Sequence, residues 1–338
     1  MQEEIQQQAG KLLGNVAGYV GMRTIEMGLS KGLFKEINRH PNGINLSDLA
    51  KNTNLDPFYV NVWANAAYAS EVLELNGGGA LVLAPHMDKL LLDAEFPGHV
   101  GAVFNVMQHP EVFDTFAKNF SSGKRTWWDE VSTDFIKAVS NTGRPFYNRL
   151  IPTAFAKVPG LEERLNKGAN VLELCSGAGI GLEKLTKTYP NSTFTGQDGD
   201  DHSLSVAKKR LEEAGTSSKV SLLKSMMEDM EIENEFDVAL INISMHESRD
   251  IDKVTQNVYR ALKKDGIFII SDFPYPENMS ESRNVPARIM SGIQYFEALI
   301  GDQLLPTKSY VELLKKHKFK NVAFTDISPV HTITWGTK

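Results

Sequence analysis

Asn170-Val-Leu-Glu-Leu-Cys-Ser-Gly-Ala-Gly-Ile-Gly181 combines a short apolar run with three closely spaced glycines. The run from Val171 to Leu174 predicts a buried parallel strand, because such strands are apolar on both faces. The three glycines lack a Cβ atom, so the backbone can turn sharply and approach a ligand there. Residues 180–189 then place apolar side chains at helical spacing. The pattern predicts a strand, a glycine loop and a helix, which together bind nucleotides at the helix N-terminus.

The glycine spacing indicates which nucleotide fits. A dinucleotide site reads Gly-x-Gly-x-x-Gly, whereas this chain reads Gly177-x-Gly179-x-Gly181, with Glu173 four residues before the first glycine. The next predicted strand, 192–197, ends at Asp198, which follows Gly177 by 21 residues. A carboxylate at that point can accept both ribose hydroxyl groups, because it has two oxygens. These residues therefore predict a nucleoside-binding site that differs from the common dinucleotide-binding site.

This combination of glycines and Glu173 resembles motif I of the class I S-adenosylmethionine-dependent methyltransferases. The resemblance implies that Glu173, Gly177 and Gly179 line the methionine end of S-adenosylmethionine and that Asp198 binds its ribose. The family commonly has an Asp-Met pair near the adenine, where this chain reads Ser225-Met226. It also has a larger apolar residue directly after the ribose acid, where this chain has Gly199. The remaining candidate cofactor contacts are Cys175, Ser176, Gly199, Ser225, Met226 and Asn242.

Strands and helices alternate through the rest of the C-terminal half. Strands are predicted at 219–223, 236–243 and 267–270, and helices at 204–214 and 251–262. This alternation is typical of a parallel, doubly wound sheet. Two final strands, 321–326 and 331–335, have no helix between them and predict an antiparallel hairpin at the sheet edge. We therefore predict an α/β fold, a Rossmann-like, mostly parallel sheet with a C-terminal antiparallel strand.

Residues 1–95 are predicted to form a mainly α-helical winged-helix domain. Asp56-Pro57 is typical of a helix start, since an N-cap residue is followed by proline. The stretch 73–83 alternates around a glycine turn and predicts two short strands. The presumed recognition helix, 57–73, contains no Lys or Arg, and residues 1–95 carry 7 Lys+Arg against 11 Asp+Glu, a difference of −4. Phosphate binding needs several basic contacts, so we expect dimerisation as the role of this domain.

Residues 96–160 are predicted to be a helical connector that contributes a wall of the acceptor pocket, and residues 161–338 to be the cofactor-binding domain. Aromatic side chains in the connector are candidate acceptor contacts. The alternative is that they only fill a core between domains. The candidates are Trp127, Trp128, Phe146 and Tyr147.

The residues after the fourth predicted strand are candidates for catalysis. Methyl transfer requires the acceptor to be aligned and its proton to be removed. The chain reads His246-Glu247 there, and an imidazole with a pKa near 6.5 suits proton removal at neutral pH. By this point the chain resembles the dimeric small-molecule O-methyltransferases, which carry a similar His-Asp pair. The alternative is that His246 is only a structural hydrogen-bonding residue.

Composition excludes several classes of function. The net charge is −6, so no overall field attracts nucleic acid or an anionic membrane. Cys175 is the single cysteine, which excludes an intrachain disulfide and a cysteine-cluster metal site, and we expect no metal. No apolar run approaches the roughly 20 residues that span a bilayer, and no signal peptide is recognisable. We therefore expect a cytoplasmic homodimer without a membrane or nucleic-acid partner.

The function expected from these features is methyl transfer from S-adenosylmethionine to a small-molecule acceptor, with a hydroxyl group favoured. Oxygen, nitrogen, sulfur and carbon acceptors all remain open. One alternative is an NAD-dependent oxidoreductase, which the glycine spacing and the terminal strand pair disfavour. Another is a non-catalytic winged-helix regulator that senses a ligand, which the absence of Lys and Arg from the recognition helix disfavours.

Overall fold

The computed structural model describes residues 2–126 and 130–338. It divides the chain into two compact units, Met1–His109 and Pro110–Lys338. The division into 1–95, 96–160 and 161–338 that the sequence suggests stays a prediction.

The first unit consists of helices and a β-hairpin. Its elements are α1 (Gln2–Ser30), α2 (Leu33–Asn38), α3 (Leu46–Thr53), α4 (Pro57–Ala69), β1 (Leu73–Leu75), β2 (Leu81–Leu83) and α5 (Gly101–Met107). Helix α4 begins as predicted, since the side chain of Asp56 accepts the backbone N–H of Tyr59 at 3.0 Å. Strands β1 and β2 pair in antiparallel register. The predicted order of helices and hairpin is present, and the winged-helix assignment itself stays a prediction.

The second unit is an α/β sheet with helices along it. Its helices are α6 (Asp114–Asn119), α7 (Thr133–Arg149), α8 (Leu161–Lys167), α9 (Ile180–Thr188), α10 (Asp201–Glu213), α11 (Ile251–Ala261), α12 (Val285–Ile300) and α13 (Thr307–Lys316). Its strands are β3 (Asn170–Leu174), β4 (Thr193–Asp198), β5 (Val220–Lys224), β6 (Phe236–Asn242), β7 (Leu262–Asp272), β8 (Lys320–Ser328) and β9 (His331–Thr337). The seven strands lie in the order β5-β4-β3-β6-β7-β9-β8.

Both faces of the sheet are covered by apolar side chains. Along β3, Val171 belongs to one buried cluster and Leu172 to another. The same alternation occurs on β6, where Leu240 joins the cluster of Val171 and Ile241 that of Leu172. Successive side chains of a strand point to opposite faces, so a strand buried on both faces is mainly apolar, with Glu173 as the buried polar exception in β3. This explains why the central strands appear in the sequence as continuous apolar runs.

The last two strands confirm the expected antiparallel pair. Strands β8 and β9 pair with each other, and β9 also pairs antiparallel with β7, so that β9 lies inside the sheet and β8 at its edge. The other neighbouring strands are parallel. The predicted Rossmann-like, mostly parallel sheet is therefore confirmed. Across the two described ranges, no helix is at once long enough and apolar enough to pass through a membrane.

Candidate active site

The candidate site lies where the strand order of the second unit reverses. The chain leaves β3 toward β4 on one side, and β6 pairs with β3 on the other. In such sheets the carboxyl ends of the strands at this point form the ligand crevice. Cys175 follows β3 with φ 49°, and Ile243 follows β6 with φ 57°. Left-handed backbone at a residue with a side chain costs on the order of 1–3 kcal/mol and is concentrated at functional sites.

Two of the predicted loop glycines differ in what surrounds them. A Cβ atom at Gly181 would overlap Oε1 of Glu173 and the ring of Tyr147, so only glycine lets α9 pack this closely on β3. Gly177 has φ 51°, and no described atom lies within 4 Å of the position its Cβ would take. Gly181 is therefore needed for packing, while the Cβ position of Gly177 faces open space.

Asp198 links the end of β4 to the glycine loop. Its Oδ2 accepts the N–H of Gly177 at 2.8 Å, and its Oδ1 accepts the N–H of Asp200 at 2.9 Å. Each carboxylate oxygen has more than one acceptor position, so both can still accept a hydroxyl group. The geometry is compatible with the ribose contact, which stays a prediction.

The two departures from the family pattern are linked in space. A Cβ atom at Gly199 would lie 2.5 Å from Sδ of Met226, so a larger residue at position 199 would require the flexible Met226 side chain to shift. The side chain of Gln197 donates to the carbonyl of Ser225, and the N–H of Ser225 donates to the carbonyl of Asp198 at 3.1 Å. The structure thus brings Asp198, Gly199, Ser225 and Met226 together, and Met226 is 47% exposed.

Glu173 is completely buried beside Tyr147. Burial raises the pKa of Glu173 to about 8, and the nearby hydroxyl of Tyr147 opposes that shift. Neither carboxylate oxygen of Glu173 has a hydrogen bond of normal geometry within the described ranges. Next to it, Cys175 is half-buried and Ser176 is 4% exposed, and desolvation raises the pKa of the Cys175 thiol well above its usual value. An unreactive Cys175 agrees with a packing role and not with nucleophilic catalysis.

A buried chain of hydrogen bonds fixes the orientation of Asn242. Ser271 donates its single hydroxyl proton to Oδ1 of Asn242 at 2.6 Å, so its contact with Nε2 of His331 at 2.8 Å must be donated by the histidine. Arg149 Nε donates to Nδ1 of the same ring at 3.3 Å. Burial, together with the charge of Arg149, lowers the pKa of His331 to about 3. The neutral ring therefore has one defined tautomer, and the amide N–H groups of Asn242 point away from Ser271.

His246 and Asp272 form a buried pair at the carboxyl ends of β6 and β7. Nδ1 of His246 lies 2.9 Å from Oδ1 and 3.0 Å from Oδ2 of Asp272, the last residue of β7. The N–H of Phe273 donates to Oδ1 at 2.8 Å, and the hydroxyl of Tyr310 donates to Oδ2 at 2.7 Å. Since Asp272 accepts the proton on Nδ1, the lone pair of the neutral imidazole lies on Nε2. Nε2 is 3.8 Å from Oε2 of Glu297.

The environment of His246 is strongly acidic. Burial alone lowers the pKa of His246, but the negative charge of Asp272, followed by that of Glu297, outweighs it and raises the pKa well above the usual value. Burial, with the charge of Glu297, raises the pKa of Glu247 to about 8 and that of Asp302 to about 7. The expectation of an imidazole pKa near 6.5 is therefore wrong for this environment, because it ignored the carboxylates that fold around the ring.

Some predicted acceptor contacts can be placed. Trp127 and Trp128 lie outside the described residues. Phe146 is buried, with its ring centroid 5.3 Å from that of Phe273 and 4.7 Å from that of His331. Phe146 therefore belongs to the interior of the second unit, and Tyr147 is buried beside Glu173, so acceptor contact by either residue stays a prediction.

Three residues of the His246 cluster were missed by the sequence analysis. Asp272 lies two residues after the predicted strand 267–270, so the rule that ligands bind at strand ends could have identified it. Glu297 lies within α12 and Tyr310 within α13. Neither helix shows a pattern that predicts contact with a residue tens of positions earlier in the chain.

Comparison with protein families and curated sequences supports the same fold. Residues 165–324 match the family model described as a methyltransferase domain. The ribosomal protein L11 methyltransferase of Dictyoglomus turgidum is 31% identical over 146 residues, which cover 43% of this chain and 46% of that protein. A malonyl-[acyl-carrier protein] O-methyltransferase of Bacillus cereus is 26% identical over 156 residues, covering 43% and 55%. This chain spans about half the length of the curated relatives it matches.

Solved structures match over almost the whole chain. The pyocyanin biosynthetic protein PhzM superposes with a TM-score of 0.74 at 16% identity, covering 98% of this chain and 99% of that one. The mitomycin 7-O-methyltransferase MmcR gives a TM-score of 0.72 at 14% identity, with both chains covered completely. At such identities the likeness establishes the fold. Residues 165–324 thus match a methyltransferase domain, within a chain that has the fold of solved methyltransferases such as MmcR.

Proposed function

We propose that this protein transfers a methyl group from S-adenosylmethionine to a small-molecule acceptor, with a hydroxyl oxygen as the favoured methyl-accepting atom. The observation that carries the proposal is the placement of two sets of residues at the carboxyl ends of the central parallel strands. The glycine loop and Asp198 follow β3 and β4, and the His246–Asp272 pair follows β6 and ends β7. A nucleoside site and a proton acceptor at these strand ends are the two parts that this reaction needs.

The roles of the residues follow from their geometry. The cofactor, when bound, supplies a methyl group already activated by the sulfonium. Asp198 accepts the ribose hydroxyl groups while its existing contact to Gly177 holds the loop in place. Asp272 holds His246 with its proton on Nδ1, so that Nε2 can take the proton of the acceptor. The proposed cofactor contacts remain Glu173, Cys175, Ser176, Gly177, Gly179, Asp198, Gly199, Ser225, Met226 and Asn242, and the proposed acceptor contacts Trp127, Trp128, Phe146 and Tyr147.

The raised pKa of His246 fits this role under one condition. The ring must lose its proton before it can accept another, so activity requires the neutral form. A base with a high pKa also holds the transferred proton firmly, which favours removal of a proton from a hydroxyl group of high pKa. Glu247, next to His246, is the second proposed catalytic residue, and its carboxyl group interacts electrostatically with the ring.

Thermal shift with two ligands tests the proposal against the oxidoreductase alternative. S-adenosylhomocysteine at 100 times its Kd should stabilise the protein by about 2.7 kcal/mol, while NAD at the same concentration should not. Stabilisation by NAD alone would contradict methyl transfer. The family match over residues 165–324 and the uncharged helix α4 both count against a DNA-binding regulator.

We also propose that the protein is a cytoplasmic homodimer paired through its first unit. Helix α1 exposes apolar side chains along much of its length, among them Leu12 at 68%, Val16 at 60% and Tyr19 at 62%. Water contact with so many apolar groups is unfavourable, and pairing would relieve it. The single, unpaired cysteine fits a reducing compartment. Light scattering should give about twice the chain mass of 37.6 kDa, and a monomer at micromolar concentration would contradict the pairing.

A further inference from the structure

The proposed base His246 and two glutamates beside it have the composition of a metal site. One ligand atom each of His246, Glu247 and Glu297 lies within 4.8 Å of the other two. The side chains of His246 and Glu297 are only 1% and 7% exposed. One imidazole nitrogen and two carboxylates form a ligand set used by divalent transition metals.

Two of these ligand atoms lack a hydrogen-bond partner. Nε2 of His246 and Oε2 of Glu297 are buried and make no hydrogen bond to any part of the chain that the structure describes. Buried polar atoms are normally satisfied, so both atoms point to a ligand in the space between them. The two atoms lie 3.8 Å apart, beyond hydrogen-bond distance but within ion-pair distance when the ring is protonated, so a proton on Nε2 and a metal ion compete for the same space.

The outer contacts of His246 are those of a metal ligand. A metal-bound histidine usually donates its other ring N–H to a carboxylate, which fixes the ring and makes the free nitrogen more basic. Asp272 accepts that proton here, and Asp272 is held in turn by the hydroxyl of Tyr310 and the N–H of Phe273. This outer arrangement orients the lone pair of Nε2 toward Glu297.

The charge around the three ligands favours a cation. Asp272 and Asp302 add negative charge next to Glu247 and Glu297, and Arg249 is the basic side chain that acts on Asp302. Buried carboxylates are costly unless they are paired or coordinate a metal. A divalent ion would offset more of this charge than a proton does.

We propose that His246 Nε2 and one carboxylate oxygen each of Glu247 and Glu297 bind one divalent transition-metal ion. Zinc takes such ligands at about 2.0–2.2 Å, which places tetrahedral ligand atoms about 3.4 Å apart. The separations here are up to 4.8 Å, so the glutamate side chains must move inward by about 1 Å, which their rotatable bonds allow. The remaining coordination position stays open to water or to an acceptor oxygen.

The proposal uses the same residues as the proposed function but does not depend on methyl transfer. The metal ion and the acceptor proton need the same lone pair on Nε2. Zn²⁺ therefore inhibits any reaction in which His246 is the base, and a chelator relieves that inhibition.

The test is metal binding by the full-length, tag-free protein after chelator treatment. Co²⁺ should bind one equivalent and produce the visible absorption of a low-coordinate site, and Zn²⁺ should displace it. Glu297→Gln and Glu247→Gln should each weaken Zn²⁺ binding at least about 10-fold, and Asp272→Asn about 10- to 100-fold through the outer contact. Glu233→Gln, an exposed acid outside the cluster, is the matched control and should bind like the wild type.

Each outcome has a distinct meaning. Folding of every variant is checked by circular dichroism, and binding of S-adenosylhomocysteine is measured in parallel. If the wild type and the Glu247→Gln/Glu297→Gln double variant bind Zn²⁺ with equal affinity, the proposed metal site is overturned. The methyltransferase proposal would be unaffected by that result. Zn²⁺ binding without any binding of S-adenosylhomocysteine would overturn the proposed function and leave the metal site intact.

Discussion

Asp272 holds both of its carboxylate oxygens within 3.0 Å of Nδ1 of His246, and both residues are almost completely buried. The carboxylate lies at the end of β7 and the imidazole on the loop after β6, which are neighbouring parallel strands. The register of the sheet therefore brings together two residues that are 26 positions apart in the chain. The pair defines which nitrogen of the ring can act on a ligand.

The first prediction concerns the charge of Asp272. In Asp272→Asn the imidazole loses the group that raises its pKa, so its pKa should fall. The base works only when deprotonated, and the ascending limb of kcat/KM against pH should therefore move to lower pH. We also expect a loss of about 10²- to 10⁴-fold in kcat, because the ring is no longer held in the required tautomer. An unshifted limb in pH-rate measurements on a confirmed acceptor would contradict the coupling.

The second prediction separates catalysis from cofactor binding. His246→Ala should lower kcat by a factor of about 10² to 10⁴ and remove the ascending limb altogether. The affinity for S-adenosylhomocysteine should stay within a factor of about two, because the glycine loop and Asp198 are unchanged. Wild-type turnover in the variant would show that His246 is structural and that positioning alone drives the reaction.

The third prediction concerns packing beneath the glycine loop. Gly181→Ala places a methyl group against Glu173 and Tyr147, where no space exists, and should destabilise the protein by about 1–3 kcal/mol in urea denaturation. Gly143→Ala, in α7, is the matched control, since no described atom lies within 4 Å of its Cβ position. It should be neutral or stabilising by about 0.5–1 kcal/mol, because alanine favours the helix. Equal effects of the two substitutions would contradict the packing account.

The sequence predicts those parts of the site that lie in one continuous motif. The strand, loop and helix of residues 170–189 and the acid at Asp198 follow from local pattern, because apolar runs and glycine spacing determine local backbone geometry. The final strand pair was also predictable. The position of β9 between β7 and β8 was not, because strand order depends on contacts that no local pattern encodes.

The environment of His246 could not be obtained from the sequence either. Glu297 and Tyr310 approach the ring from α12 and α13, and the burial of the cluster is a property of the folded chain. The direction of the pKa shift of His246 depends on which of two opposing effects is larger, burial or the neighbouring carboxylates. Only the assembled geometry decides that balance.

The central claim is that S-adenosylmethionine binds at the glycine loop with its ribose on Asp198. Calorimetric titration of S-adenosylhomocysteine into the wild type, Asp198→Ala and the control Asp229→Ala tests it most directly. We predict binding to one site per chain, a loss of about 1–3 kcal/mol in Asp198→Ala because buried hydroxyl groups lose a charged acceptor, and no change in Asp229→Ala. Equal affinities in all three proteins, or no binding to the wild type, would contradict the claim.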